Sequence, residues 1–294
     1  MNTGFMTTIL VKVVTATTFG YAEIIPHALS IAYYIIAFEV TMIGIYLVLG
    51  GDNSTSIIMI FRKGAGAFVW IYIISKWEFL SGLIFRTFSA AGLVAGQNVI
   101  PENLLFNPSA IMKIGFGCTA LLFNPASRSF WDAFNLIDMF LYLVIGIIIL
   151  TTFFVIALNV FMVVIEFYVF SVCSLILLPF SLFDKSAFLA ESAIAGIFRL
   201  GIKVMVLGFV LSIGYTILQG LRIPRNPSYY DLFSIMFTSI TVAFMCGRAP
   251  GMAASMMTGT PNLSGPTVSG VIARGGGAAI ASAYVVKNIF RRKK

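Results

Sequence analysis

Long apolar runs, each ended by a few charged or turn-forming residues, make up most of the chain. The first run covers residues 24–51 and carries one carboxylate, Glu39, near its centre. Further runs without a charged residue follow at 139–165, 167–183, 204–221 and 232–247. A helix needs about 20 mostly apolar residues to cross the hydrocarbon core of a bilayer. The pattern therefore predicts an all-α, polytopic integral membrane protein.

Two stretches of this pattern allow more than one topology. Residues 57–96 are apolar and rich in aromatic side chains, but charged residues interrupt them. They form either an irregular span, which we favour, or a helix lying in the membrane interface. Only Glu166 separates the runs 139–165 and 167–183, which form either two spans joined by a very short hairpin or one long tilted helix. The pattern predicts five transmembrane helices, or six if residues 57–96 form one span and residues 139–183 form two.

Turn-forming residues mark where several helices are expected to begin. An Asn-Pro pair occurs at positions 107–108 and again at 124–125, in two similar segments. Asparagine is a good N-cap and proline suits the first helical position, so each pair predicts the start of a short interfacial or extramembrane helix. Pro26 likewise predicts the start of the first span.

The same punctuation divides the chain into four parts. Residues 1–95 hold the first span and the interfacial or second span. The polar central region, residues 96–135, carries the short helices, and residues 136–247 form the multispan membrane core. Residues 248–294 are expected to form a flexible, basic cytoplasmic tail, with helical turns around residues 249–257.

Composition supports a membrane protein and excludes an ordinary soluble domain. Hydrophobic residues make up 59% of the chain and charged residues 10%, against roughly a quarter charged in soluble domains. The mean hydropathy is +0.99. The three cysteines, Cys118, Cys173 and Cys246, form no motif, so we predict neither a disulfide framework nor a metal site, and no cofactor.

Positive charge is concentrated at the C-terminal end. The net charge is +8, and from residue 232 onward the chain has seven basic residues and no acidic one. Segments rich in Lys and Arg stay on the cytoplasmic side of a membrane, so we expect the C-terminus there. A basic tail also suits anionic lipid or nucleic acid, although a topology anchor is the commoner explanation.

The most distinctive segment runs from Pro179 to Gly214, where a charged helical pattern joins two apolar runs. Its charged side chains are the candidate assembly or interaction residues: Asp184, Lys185, Glu191, Arg199 and Lys203. All but Lys185 fall close to one helical stripe. The pattern predicts either a plain solvated helix or a docking surface between two spans.

Two carboxylates interrupt apolar runs. Glu39 and Glu166 would each cost roughly 2.5–3.5 kcal/mol at the centre of a spanning helix, so we expect each to face protein or water. Their functional interpretation is a pore-lining or intersubunit carboxylate. For Glu166 the alternative is a solvated bend at the membrane surface.

Catalytic chemistry is sparse. The single histidine, His27, has no partner nearby in the sequence, and the motifs of metalloproteases, serine hydrolases and phosphate loops are absent. We therefore predict a non-enzymatic protein. A small-solute or ion transporter is the alternative, but such proteins are often built from repeats and the two halves show none. A membrane-embedded enzyme would need converging His, Asp or Cys residues.

Two groups of residues carry a family resemblance. The first is in the distinctive segment and comprises Pro179-Phe180, Phe183, KSAFLAE at 185–191 and GIKVMVL at 201–207. The second follows the last span and comprises APGMAA at 249–254 and Gly259-Thr260-Pro261. With the multispan layout, these residues make the chain similar to the TrbL family of conjugal transfer proteins, polytopic inner-membrane subunits of type IV secretion systems.

The resemblance implies a non-enzymatic subunit of the bacterial inner membrane. Such a subunit is expected to form a homo-oligomeric base or channel for pilus assembly and for transfer of DNA and protein substrates. Expected partners are the minor pilin, other inner-membrane subunits, the ATPases and membrane lipid, with translocated DNA as a further candidate. The family's N-terminus and central region are expected in the periplasm, which requires an odd number of spans if the C-terminus is cytoplasmic.

Overall fold

The computed structural model describes residues 4–49, 53–97, 107–123, 136–220 and 228–258. Helices make up nearly all of these residues, and no strand occurs among them. The helices are α1 (Phe5–Val48), α2 (Asn53–Ser75), α3 (Trp77–Ala95), α4 (Pro108–Phe123), α5 (Leu136–Ser174), a 3-10 helix (Leu175–Leu182), α6 (Ala187–Gly220) and α7 (Tyr229–Thr258). The predicted all-α fold is confirmed.

Five helical segments in the described ranges are long and apolar enough to cross a membrane. They are Phe5–Val48, Trp77–Ala95, Phe140–Leu182, Ala187–Ile217 and Tyr229–Met257. The protein is therefore a multi-pass membrane protein, and the prediction of five spans is confirmed. α4 is shorter than a bilayer requires, and α2 carries two adjacent cations, Arg62 and Lys63.

The prediction that the first helix begins at Pro26 is wrong, because α1 begins at Phe5 and passes through Pro26. The threonines before it do not end the helix, since their hydroxyls bond back to the helix itself. Thr15 Oγ1 donates to the carbonyl of Val11 at 2.8 Å. Proline removes one backbone hydrogen bond, which a long apolar helix tolerates.

The irregularity expected in residues 57–96 lies at Lys76. Its backbone, with φ −108° and ψ 17°, leaves the helical region and separates α2 from α3. The Lys76 N–H still donates to the carbonyl of Tyr72, and the Lys76 carbonyl accepts from Leu80, both at 3.0 Å. The break is therefore one residue wide. α3 is the candidate span, while α2 packs against α1 and the 3-10 helix.

The hairpin considered at Glu166 does not exist, because α5 continues through this residue without a break. The other interpretation, one long helix, is the one observed. No glycine or proline flanks Glu166, and a lone charge does not supply the backbone conformation of a turn. The helix tightens into the 3-10 helix only near Pro179.

The chain reverses direction at residues 183–186. Ser186 Oγ donates to the carbonyl of Phe180 at 3.0 Å, and the carbonyl of Ser186 accepts from the N–H of Leu189 at 3.0 Å. α6 starts directly afterwards and continues to Gly220. The charged segment is therefore not a separate surface helix between two spans, as we expected, but the first half of a spanning helix.

α3, α5, α6 and α7 form a packed body, with α4 alongside α5. α6 runs antiparallel to α5 and α7. α3 runs parallel to α6 and meets it at backbone distance, because Gly92 lies against the carbonyl of Met205 and a Cβ there would collide with it. Phe85, Phe153 and Phe167 are fully buried in this body.

The Asn-Pro prediction is confirmed at positions 107–108, where α4 begins. Asn107 Oδ1 accepts a hydrogen bond from the N–H of Ala110 at 3.2 Å, as an N-cap does. Thr7 of α1 donates its hydroxyl to the same oxygen at 2.7 Å, which fastens α4 to α1. The second pair, at 124–125, lies outside the described residues. The helical turns predicted at 249–257 belong to α7, and the rest of the tail also lies outside the described residues.

Candidate functional site

Glu166 and Lys203 form an ion pair between α5 and α6. Lys203 Nζ donates to Glu166 Oε2. The two residues lie equally far from the reversal at 183–186, so the antiparallel arrangement brings them opposite each other. Glu166 therefore has a partner in the protein and lies on a continuous helix and not at a bend, although its side chain is half exposed. Both side chains keep some exposure, so the pair sits at the edge of the packed body.

Lys63 joins a second ionic cluster of three residues, which we call the Lys63 triad. Lys63 Nζ lies 3.3 Å from Glu39 Oε1 and 2.8 Å from Asp184 Oδ2. Glu39 lies on α1, Lys63 on α2, and Asp184 in the reversal before α6. The triad therefore ties the α1–α2 pair to the end of the packed body, and it gives the Glu39 carboxylate a protein partner.

The electrostatics of the triad favour a charged lysine. Burial lowers the pKa of the Lys63 ammonium, but the hydrogen bond to Asp184 and the charges of Glu39 and Asp184 outweigh it. The net effect is a Lys63 pKa above the ordinary value of a lysine. Lys63 is therefore protonated at neutral pH.

The five candidate interaction residues do not act as one stripe. Asp184 precedes the helix, so helical spacing does not apply to it, and it is drawn into the Lys63 triad. Lys203 is drawn to Glu166. The remaining three, Lys185, Glu191 and Arg199, are exposed and form no ion pair within the described ranges.

A cavity of about 740 Å³ opens between α5, α6 and α7 next to the Glu166–Lys203 pair. Its charged lining residues are Glu166, Arg199 and Lys203. The rest of its wall is mainly apolar, with Phe170 and Met257 among the larger side chains. The cavity thus combines a small ionic cluster with an apolar surface.

Lys63 was missed at the level of sequence, although a signal for it existed. Glu39 and Lys63 each lie twelve residues from Gly51, where the turn-forming sequence between α1 and α2 stands. In an antiparallel pair of helices, positions equally far from the turn face each other. Opposite charges at such positions predict the contact that the structure contains.

A buried polar cluster was also missed, and no sequence pattern links its members. The Tyr21 hydroxyl donates to Ser171 Oγ at 2.6 Å and lies 3.2 Å from Ser81 Oγ. Trp77 Nε1 donates to the carbonyl of Ser171 at 2.9 Å. The cluster fastens α1 to α3 and α5.

Metal-ligating side chains do not cluster among the described residues. Across the described segments, no three His, Cys, Asp or Glu side chains gather closely enough to hold a metal ion. The ion pairs of the described residues connect helices, and other charged side chains, such as Lys185 and Glu191, lie exposed.

Comparison with known proteins gives one family. Residues 36–247 match the model of the family described as TrbL/VirB6 plasmid conjugal transfer protein. The match begins within α1 and ends within α7. No curated protein matches the chain significantly.

Proposed function

The chain belongs to the TrbL/VirB6 plasmid conjugal transfer family, and from this premise we propose that it is a non-enzymatic inner-membrane subunit of a type IV secretion machine. In this proposal the subunit forms an oligomeric base or channel on which the pilus is assembled and through which DNA and protein substrates pass. The family match over residues 36–247 is the observation that carries the proposal. It covers α3, α5 and α6 completely and α1 and α7 in part.

The exposed surface of α1 supports a homo-oligomer. α1 is apolar, yet few of its side chains are buried, and large ones such as Phe19 and Tyr34 are exposed. Contiguous apolar surface on a folded chain is covered by lipid or by protein. We propose that other copies of the chain cover part of α1, around the axis of the machine.

Charge supports an orientation with the C-terminus in the cytoplasm. The seven basic residues after position 232 favour that side. α5 and α7 run parallel, so both would end at the cytoplasmic side, and α6 would begin there. In this proposal, the starts of α5 and α7 face the periplasm and the minor pilin.

The start of α6 is our candidate docking surface for the cytoplasmic partners, including the ATPases. Lys185 and Glu191 are exposed there and have no ion-pair partner in the described part of the chain. Exposed charges of this kind set the partner and the register of an interface more than its affinity.

Co-purification of the secretion complex tests the docking surface. We expect Glu191→Ala and Lys185→Ala to reduce recovery of the other subunits and to lower DNA transfer between cells, while the variant protein still inserts. Glu78→Ala is the matched control, because Glu78 is an exposed carboxylate on α3, away from both proposed interfaces. Normal complexes in both α6 variants would remove this role from the start of α6.

Two further measurements separate the proposal from a transporter. Native mass measurement in detergent should give a homo-oligomer, and deletion of the gene should abolish DNA transfer. A monomer that moves a small solute across vesicles would instead support a transporter. A topology reporter fused after Lys294 should report the cytoplasm, and a periplasmic signal would overturn the orientation.

A further inference from the structure

We propose that the cavity between α5, α6 and α7 binds an anionic phospholipid. In this proposal, Arg199 and Lys203 hold the phosphate of the headgroup, and the apolar wall contacts the glycerol and the first part of the acyl chains. The inference does not depend on the proposed function, since it concerns one subunit and one class of lipid.

The depth of the cavity is the first observation. The uncharged runs at 139–165 in α5 and 232–247 in α7 end just before Glu166 and Arg248. The uncharged run of α6 begins just after Lys203. Glu166 and Lys203 line the cavity, and Arg248 lies two residues before another lining residue, Pro250. The ends of apolar runs mark the boundary between the hydrocarbon core and the headgroup region. The charged residues of the cavity thus lie beside the ends of apolar runs in three helices, and in this proposal that level is the headgroup region.

The charge of the lining is the second observation. Lys203 neutralises Glu166 through their ion pair. Arg199, one turn earlier on α6, is exposed and has no acidic partner among the residues the structure describes. The lining thus carries one uncompensated positive charge. A guanidinium binds phosphate through two parallel hydrogen bonds, which makes a phosphate a suitable counter-ion.

The apolar wall is the third observation, and it favours a lipid over a free phosphate ion. Phe170, Leu177 and Met257 line the same cavity as the charged residues. A hydrated inorganic anion would leave these side chains facing water. A phospholipid fits both surfaces, and basic pockets between membrane helices are known to hold such headgroups. The volume of about 740 Å³ lies within the range of small-molecule sites.

Thermal unfolding of the purified chain in an uncharged detergent tests the site. Phosphatidylglycerol in mixed micelles should raise the unfolding midpoint by about 4 °C. Phosphatidylcholine and inorganic phosphate should each give less than a third of that rise. Native mass spectrometry should retain phosphatidylglycerol on the protein under the same conditions.

Two variants locate the binding. Arg199→Gln should abolish the rise caused by phosphatidylglycerol, while Arg62→Gln, the same change at an exposed arginine on α2, should keep it. Ser192→Trp at the exposed rim should also abolish it, because the indole fills the cavity without removing charge.

Several results would overturn the proposal. Equal stabilisation by phosphatidylcholine would remove the role of headgroup charge. Equal stabilisation by inorganic phosphate would indicate a soluble anion site. If phosphatidylglycerol raised the unfolding midpoint of Arg199→Gln as much as that of the unchanged protein, Arg199 would not bind the lipid. If Arg199→Gln lost the rise but Ser192→Trp kept it, the lipid would bind to surface charge and not in the cavity.

Discussion

α1 and α6 have nearly the same apolar character and very different burial. The most apolar window of α1 has a mean hydropathy of 1.9 and that of α6 has 2.1, but 6% of the first window is buried against 50% of the second. Hydropathy therefore tells where a chain is apolar and not what covers it. α6 is covered by its own chain, whereas α1 depends on lipid or on other subunits.

The contacts of the two regions differ in kind. In the packed body, Phe85 and Phe167 meet edge to face with ring centroids 5.0 Å apart, and glycine brings α3 and α6 to backbone distance. The α1–α2 pair contacts the reversal at residues 183–186 through the Lys63 triad and through an edge-to-face contact of Phe38 with Phe183. Close packing buries much of the first region, whereas the second packs on the 3-10 helix and α5 with fewer buried residues and adds these polar and aromatic contacts.

The largest expected effect is the loss of an aromatic ring from the packed body. Phe85→Ala should destabilise the protein by about 3–5 kcal/mol, because the fully buried ring leaves a cavity beside Phe167. Phe79→Ala, on the exposed face of the same helix, should cost less than about 0.5 kcal/mol. Unfolding in detergent measures both. Equal losses would mean that α3 is not packed as described.

The close contact between α3 and α6 gives the next largest effect. Gly92→Val should cost about 1–3 kcal/mol, because its Cβ would meet the backbone at Met205 and push the helices apart. Gly82→Val is the control, since a Cβ at Gly82 meets open space. Thermal midpoints in the same detergent compare the two. A Gly82 variant as unstable as the Gly92 variant would point to helix propensity instead.

A smaller effect is expected in the α1–α2 region. Lys63→Met should loosen this region by about 1 kcal/mol or less, because the triad is partly exposed and screened by its surroundings. The rate of backbone amide hydrogen exchange should rise in α1 and α2 and stay unchanged in α5 and α6. Arg62→Met serves as the control. A change that spread evenly over all helices would show that the two regions are one cooperative unit.

The smallest effect is the pH dependence of the same triad. Folding raises the pKa of Lys63, so its contribution is complete below the ordinary lysine pKa and is lost as the pH rises through the raised value. The protection of α1 and α2 from amide hydrogen exchange should therefore be constant around neutral pH and fall only above about pH 10. Lys63→Arg should remove this fall, because arginine stays charged. A decrease between pH 6 and 9 would contradict the assignment.

The sequence predicted best where a local rule was sufficient. The number of spans followed from apolar length, and the start of α4 followed from the Asn-Pro pair at 107–108. It failed where a single residue was given too much weight. Pro26 did not begin α1, because a long apolar helix tolerates one unfavourable residue. At Glu166 the sequence left a hairpin and one long helix open, and the structure contains the long helix.

The ionic contacts and the cavity needed the arrangement of helices. Helical spacing grouped Asp184 with Lys203, but the start of α6 at Ala187 separates them. The partner of Asp184 lies on α2 and that of Lys203 lies on α5. Only a comparison of positions on either side of each turn could have indicated these contacts. The cavity depends on side chains from three helices, and no property of one segment specifies it.

The length of α5 also has a mechanical consequence for the membrane around it. Its uncharged run from 139 to 165 is about 40 Å long at 1.5 Å per residue, while a typical hydrocarbon core is about 30 Å thick. This is a positive hydrophobic mismatch, which a helix relieves by tilting or by thickening the bilayer nearby. Since α5 is packed against α6 and α7, the three would have to tilt together. The packed body is thus suited to respond to bilayer thickness as one unit.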